Sequence, residues 1–153
     1  MRRFGALPSH VHFVPIDFNA ERLDTALTRE GLDLEHPALF LWEGVTQYLQ
    51  PEAVDAVIRS VAARPAGSEL VFTYVIERAI SGRNHAGRPD PGLMGVEPWI
   101  FGIEPSRLAT FLSERGLTLR EDVGAEEHLA RYVHPAGRDL VVSNVERVAR
   151  ASV

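Results

Sequence analysis

ALFLWEGVTQYL, residues 38–49, is the stretch of sequence from which the fold of this chain can be predicted. It opens with five consecutive apolar residues, bounded by Pro37 on one side and by Glu43 and Gly44 on the other. Such a run is typical of a strand that is buried on both faces of a parallel sheet. Glu43 would then lie at the carboxyl end of the strand, where open α/β sheets bind their ligands. A loop carboxylate or a helix cap is an equally good interpretation of Glu43 from this pattern alone.

Predicted strands and helices alternate on either side of this stretch. HVHFVPI, residues 10–16, predicts a strand that ends at Asp17, and ELVFTYV, residues 69–75, predicts a second buried strand. Apolar residues at helical spacing predict helices at residues 21–30 and from Pro51 onward. Because strand, helix, strand, helix and strand follow in that order, we expect an α/β fold with a parallel sheet and helices on both faces.

The alternation stops at residues 81–102, which hold five glycines and three prolines and predict a long loop or insertion. Its Arg83, His85 and Arg88 could bind an anionic acceptor, although solvated loop charges are the more common case. Farther along, the pattern predicts a helix at residues 105–115, a strand at 117–123, a short helix at 125–132 and a last strand within 140–151. We expect residues 1–153 to form a single domain.

The composition excludes several classes of function. The chain has no cysteine, and all 16 of its basic residues are arginine, which excludes disulfides and lysine Schiff-base chemistry. A net charge of −5 with scattered basic residues argues against a nucleic-acid partner. No apolar run approaches the length of a membrane span, and a cytoplasmic protein is expected. His10 and His12 share a strand face but have no evident third ligand, so no metal site is expected.

Five segments of the chain are informative through their sequences and their order. They are VPIDF (residues 14–18), LFLWEGVTQYL (39–49), GSELVFTYV (67–75), EPWIFGIEPSRLATFL (97–112) and ERVARA (146–151). In this order they resemble the S-adenosylmethionine-dependent methyltransferases of the leucine carboxyl methyltransferase-like group, above all its bacterial branch. VPIDF and EGVTQYL are the specific blocks, and the other three support them.

The resemblance implies a partial class I methyltransferase domain, which is Rossmann-like with a mostly parallel sheet. The sheet order of that fold is 3-2-1-4-5-7-6, with strand seven antiparallel. Family members are about twice as long as this chain, and their first half carries a glycine-rich turn and an acidic residue that holds the ribose. This sequence contains no G-x-G, so it is similar to the C-terminal half and lacks the first two strands. Their absence would leave a strand edge unpaired, which invites association.

The resemblance also implies a set of site residues. Asp17 and Phe18 match positions beside the adenine of S-adenosylmethionine, and Glu43 matches the carboxylate near the ammonium of the cofactor. Gly44 would let the backbone approach the cofactor, and Tyr48 is the candidate catalytic residue because it could face the transferred methyl. Three of these residues also have a structural alternative: a strand end that caps the following helix for Asp17, a simple turn for Gly44, and a buried tyrosine bonded to backbone for Tyr48.

The function that follows from the resemblance is S-adenosylmethionine-dependent O-methyl transfer to a small molecule or a carboxylate. The alternative is a non-catalytic fragment, or a subunit that completes a methyltransferase sheet with a separate N-terminal half. The missing glycine motif leaves open whether the chain is an enzyme by itself. A homo-oligomer is another way in which the unpaired edge would be covered.

Overall fold

A four-stranded sheet forms the centre of the protein in its computed structural model, which describes residues 8–80 and 99–153. The strands are β1 (Leu39–Trp42), β2 (Glu69–Val75), β3 (Thr118–Val123) and β4 (Glu146–Ser152), in the spatial order β1-β2-β4-β3. β1 is parallel to β2, whereas β4 is antiparallel to both β2 and β3. This is the arrangement that the resemblance implies for strands four, five, seven and six. The predicted α/β fold class is confirmed, with a mixed sheet in the described residues.

The helices connect the strands largely as predicted. They are α1 (Leu23–Arg29), α2 (Pro51–Ala62), α3 (Glu77–Ile80), α4 (Pro105–Ser113) and α5 (Ala125–His128), with a 3₁₀ turn at Thr46–Tyr48 and a π-helix at Leu129–Val133. The predicted short helix at residues 125–132 is thus divided into an α and a π part. The short helix α3 was not predicted. None of the helices in the described ranges is long and apolar enough to cross a membrane.

Residues 10–16 do not form the predicted strand. They have no regular secondary structure, and most of their side chains are exposed, with Phe13 at 77%. A strand needs a hydrogen-bonded neighbour, and the neighbour that the resemblance implies for this segment, strand two, has no counterpart among the described strands. The guanidinium of Arg29 instead donates a hydrogen bond of 3.1 Å to the carbonyl oxygen of Pro15, which ties the segment to α1.

β1 forms where it was predicted, but the prediction that it is buried on both faces is wrong. Trp42 is buried and Phe40 is half-buried, whereas Leu39 is 61% and Leu41 is 73% exposed. The reason is the position of β1 at the edge of the sheet, where one face has no cover from the described helices. Most of the predicted loop at 81–102, with Arg83, His85 and Arg88, lies outside the described residues.

The hydrophobic core lies on the other face of the sheet. By register, Phe40 and Trp42 lie beside Leu70 and Phe72 on this face. They pack against the apolar stripes of α2 and α4, whose buried core residues are Val54, Val57, Ile58, Val61, Leu108 and Leu112. An ion pair also joins α2 to the residues that follow α4, because Nε of Arg115 lies 2.7 Å from Oδ1 of Asp55.

A polar cluster joins the three strands β2, β3 and β4. The hydroxyl of the fully buried Tyr74 donates a 3.0 Å hydrogen bond to Oδ1 of Asp122, and Nε of Arg147 donates to the same oxygen at 3.0 Å. Burial raises the pKa of the Tyr74 hydroxyl above its ordinary value, and the adjacent charge of Asp122 raises it further. The tyrosine therefore stays neutral and donates a hydrogen bond to the carboxylate throughout the neutral range.

Replacing Tyr74 by phenylalanine tests this cluster. We expect Tyr74→Phe to lower the free energy of unfolding by about 1–2 kcal/mol at pH 7, because a hydrogen bond to a charged acceptor is lost. The raised pKa contributes stability below pH ~10, where free tyrosine titrates, and this contribution is lost as the pH rises further. Urea unfolding between neutral and strongly alkaline pH should show a smaller alkaline loss in the variant.

Tyr132→Phe is the matched control, since Tyr132 is 65% exposed. It should leave both the stability at pH 7 and its alkaline dependence close to those of the original protein. Equal alkaline losses in the original protein and Tyr74→Phe would show that Tyr74 does not carry the effect.

Candidate functional site

A glycine turn follows the carboxyl end of β1. Gly44 has φ +70°, in the left-handed region of backbone conformation that residues other than glycine rarely adopt. A Cβ built on Gly44 would meet no atom within 4 Å, so the turn requires glycine for its backbone angle and the space beside it is open. Glu43, directly before it, is exposed, and its carboxylate makes no hydrogen bond or ion pair with the described residues.

Thr73 of β2 holds this turn through two hydrogen bonds. The N–H of Gly44 donates to Oγ1 of Thr73 at 2.7 Å, and the hydroxyl of Thr46 donates to the carbonyl oxygen of Thr73, also at 2.7 Å. Thr46 is fully buried and Thr73 is 8% exposed. Sequence reasoning did not identify Thr73. The signal that could have found it is a single threonine inside the largely apolar run ELVFTYV.

The 3₁₀ turn Thr46–Tyr48 anchors a second segment at the same edge of the sheet. The backbone carbonyl oxygen of Gln47 accepts hydrogen bonds from the N–H groups of Ile100 (2.7 Å) and Phe101 (3.2 Å). The N–H of Ile103 donates to the carbonyl oxygen of Val75 at 3.0 Å, at the last residue of β2. Phe101 is buried in the hydrophobic core, where aromatic side chains are most often found.

Gly102 allows this segment to pass close to the end of β2. A Cβ at Gly102 would lie 2.8 Å from Cδ1 of Ile80 and 2.9 Å from the carbonyl oxygen of Val75. The second distance is to backbone, which cannot move aside as the end of a side chain can. The segment at residues 99–103 is therefore fixed across the carboxyl edge of the sheet.

Asp17 and Phe18 lie in a turn before α1. Oδ1 of Asp17 accepts a 3.0 Å hydrogen bond from the N–H of Asn19. The N-cap of α1 is Arg22, so Asp17 stabilises the preceding turn rather than capping the helix. The ring of Phe18 lies beside that of Trp42, with centroids 6.1 Å apart. Oδ1 of Asn19 accepts a weak 3.4 Å hydrogen bond from the N–H of Gln50, the N-cap of α2.

The structure brings one residue of the first predicted pair to the end of β1. The ring of Phe18, which follows Asp17, lies beside that of Trp42, which directly precedes Glu43. Tyr48 is 38% exposed and belongs to the 3₁₀ turn rather than to an α-helix.

Two cavities adjoin Phe18. One is an open cleft of about 390 Å³, within the size range of ligand sites, which is lined by residues 18–22 and by Gln50, Glu52, Ala53 and Ala56. The other is a smaller apolar cavity of about 110 Å³, whose walls include the rings of Phe18 and Trp42. Phe18 is the one predicted cofactor residue that lines either cavity. Asp17, Glu43 and Gly44 border neither.

Comparison with solved structures identifies the class of fold. A DUF574 family protein from Streptomyces avermitilis superposes with a TM-score of 0.51 and 18% identity over 85% of this chain and 49% of its own. A proposed methyltransferase from Thermobifida fusca YX superposes with a TM-score of 0.50 and 18% identity over 81% of this chain and 46% of its own. The sheet is therefore that of a methyltransferase-type α/β fold.

Sequence comparison identifies the relatives. Residues 1–62 match the model of the leucine carboxyl methyltransferase family. A proposed S-adenosyl-L-methionine-dependent methyltransferase from Mycobacterium avium (strain 104) is 30% identical over 125 residues, which are 77% of this chain and 42% of the relative. Another such protein, from Mycolicibacterium gilvum (strain PYR-GCK), is 40% identical over 77 residues, or 49% of this chain and 25% of the relative.

These matches confirm the resemblance to the S-adenosylmethionine-dependent methyltransferases of the leucine carboxyl methyltransferase-like group. The cofactor named for these relatives is S-adenosylmethionine. The matched part of the chain spans about two-fifths of the length of the mycobacterial relatives, or 41–42% for most of them.

Replacing Thr73 by valine tests how the glycine turn is held. Thr73→Val keeps the shape of the side chain but removes the acceptor of the Gly44 N–H. We expect a loss of about 1–3 kcal/mol in the free energy of unfolding, because that N–H is left without a partner. The amide of Gly44 should also exchange its hydrogen faster, which NMR-detected hydrogen exchange would measure.

Thr73→Ser is the matched control, because it retains the hydroxyl and removes only a methyl group. The serine variant should keep the Gly44 amide protected. If the valine variant protects that amide as well as the original protein does, the hydroxyl of Thr73 does not hold the turn.

Proposed function

We propose that residues 1–153 provide the C-terminal half of an S-adenosylmethionine-dependent O-methyltransferase domain, which methylates a small molecule or a carboxylate. The observation that supports the proposal is the Glu43–Gly44 turn, which is held by Thr73 and directly follows Trp42, whose ring lies beside that of Phe18. The relation to methyltransferases and the strand order support it.

The residues at the carboxyl edge of the sheet suit the chemistry of S-adenosylmethionine. Glu43 presents an exposed carboxylate without a partner among the described residues, which suits the ammonium of the methionine moiety. The open space beside Gly44 leaves room for a ligand to approach the backbone. Phe18 gives the open cleft an aromatic wall against which an adenine could pack, and the carboxylate of Asp17 could accept from the exocyclic amine.

S-adenosylmethionine supplies a methyl group that is already activated on a sulfonium, so the protein contributes mainly orientation and exclusion of water. Glu43, Asp17 and Phe18 would hold the cofactor, which would supply its methyl group to an oxygen lone pair of the acceptor while the electron pair of the broken C–S bond would remain on sulfur. A carboxylate acceptor has no proton to lose, whereas a hydroxyl acceptor would benefit from a base. Tyr48, in the 3₁₀ turn after Gly44, is the residue that we assign to the side of the transferred methyl.

Calorimetric titration of the purified chain with S-adenosylmethionine tests the cofactor site. We expect binding in the micromolar range, and binding about tenfold or more weaker in Glu43→Gln, because a hydrogen bond between two charged groups is replaced by one to a neutral amide. S-adenosylhomocysteine, titrated in parallel, retains the ammonium and should show the same dependence on Glu43.

Glu35→Gln is the matched control, because Glu35 is an exposed carboxylate that precedes β1 and lies at the opposite end of that strand. It should bind the cofactor as the original chain does. Equal weakening in both variants would show a nonspecific charge effect. No binding by a folded chain would contradict a cofactor site in this half and would favour the non-catalytic fragment or subunit.

Tyr48→Phe tests the assignment of the tyrosine. If Tyr48 acts on the transferred methyl and not on binding, calorimetry should give an unchanged dissociation constant for S-adenosylmethionine. Methyl transfer to a small-molecule acceptor should fall in the same variant, as measured by mass spectrometry of the product. A weakened cofactor affinity would instead place Tyr48 among the binding residues.

A further inference from the structure

The apolar cavity of about 110 Å³ is enclosed by side chains of α1, β1, α2 and β2. Every lining side chain is apolar or aromatic, among them Leu23 of α1, Trp42 of β1 and Val57 of α2. Leu41, which is largely exposed, also lines it, so the cavity has an opening to solvent. We call it the Trp42 cavity. Phe18 is the only lining residue that it shares with the open cleft of about 390 Å³.

The indole N–H of Trp42 is a buried donor without a hydrogen-bond partner among the described residues. Trp42 is 7% exposed, and its Nε1 has no contact with bulk solvent. A buried donor that lacks an acceptor costs free energy, which is why such groups in folded proteins nearly always have a partner. An acceptor carried by a ligand in the Trp42 cavity would remove this cost.

The apolar walls decide which kind of ligand suits the cavity. A buried water molecule ordinarily makes roughly two to four hydrogen bonds, and the lining side chains offer the single donor of Trp42. An apolar molecule with one acceptor satisfies that donor and covers the remaining walls. Apolar cavities of about 150 Å³ hold benzene, so a slightly smaller ring is the matching size for 110 Å³.

We propose that the Trp42 cavity is a binding site for a small apolar ring that carries one hydrogen-bond acceptor, such as a cyclic ketone, and that Nε1 of Trp42 donates to this acceptor. The site goes beyond the proposed methyl transfer, because it involves neither S-adenosylmethionine nor the carboxylate of Glu43. A molecule bound there would contact the ring of Phe18, which also lines the open cleft.

Cyclopentanone and cyclopentane are the two probes, because they share a ring size and differ in the carbonyl oxygen. Trp42 and Trp99 are the two tryptophans of the chain, so a heteronuclear NMR spectrum contains two indole N–H signals. The signal that is lost in Trp42→Phe belongs to Trp42. We expect cyclopentanone to move this signal downfield, because hydrogen bonding deshields the proton, and to leave the signal of Trp99 in place. Cyclopentane should produce no downfield shift.

Trp42→Phe also tests the hydrogen bond through the affinities. The variant keeps an aromatic ring in the wall but removes the donor, so cyclopentanone should bind about tenfold or more weakly. Cyclopentane is the control ligand and should bind with nearly unchanged affinity, since it makes no hydrogen bond. Any change in the size of the cavity acts on both ligands, and the comparison of the two therefore isolates the hydrogen bond.

Val57→Ile tests the location of the site. The added methylene group takes up part of the cavity, so both ligands should bind severalfold more weakly. Val54→Ile is the matched control, because Val54 lies on the same helix, is 1% exposed and does not line the cavity. It should leave both affinities unchanged. Circular dichroism of the three variants shows whether they fold, which separates lost binding from unfolding.

Four results would overturn the inference: no binding of cyclopentanone, a Trp42 signal that bound cyclopentanone does not move, equal weakening of both ligands in Trp42→Phe, or equal weakening in the two isoleucine variants. None of these measurements uses S-adenosylmethionine. The inference can therefore fail while the cofactor titration succeeds, and the reverse also holds.

Discussion

The two hydrogen bonds that Thr73 makes with the segment after β1 are the interaction on which the candidate site depends. One fixes the amide of Gly44 and the other fixes the hydroxyl of Thr46, each at 2.7 Å. The amide of Gly44 is held by the neighbouring strand, whereas the 3₁₀ turn that follows also has a backbone hydrogen bond of its own, from the N–H of Tyr48 to the carbonyl oxygen of Val45. Because Gln47 in turn binds the segment at Ile100 and Phe101, the same constraint extends across the carboxyl edge of the sheet.

β2 serves both faces of the sheet through consecutive residues. Thr73 holds the turn at the site, and Tyr74, whose side chain points to the opposite face, donates to Asp122 and so joins β2 to β3. The relative positions of the site and of the far strands are thus fixed by one central strand. A substitution that shifts the register of β2 would disturb both, because a shift by one residue exchanges the faces of Thr73 and Tyr74.

The elements that were predicted well are those whose sequence pattern lies within the element itself. β2 matches its predicted limits because ELVFTYV is almost continuously apolar, and α2 begins at Pro51 because proline suits the first turn of a helix. The predictions that β1 is buried on both faces and that residues 10–16 form a strand were wrong. Both features depend on neighbouring elements of the fold, which the sequence of these residues does not report. Thr73 was missed because its role depends on a hydrogen bond across 29 residues of sequence, which no local pattern reports.

The one-sided core has a consequence for how the stability of this chain changes with temperature. Hydration of apolar surface on unfolding produces the positive heat-capacity change, ordinarily about 12–15 cal/mol/K per residue. Side chains such as Leu39, Leu41 and Phe13 are already in water in the folded state and add little to it. The heat-capacity change per residue should therefore be smaller than usual, and the curve of stability against temperature should be broad and shallow.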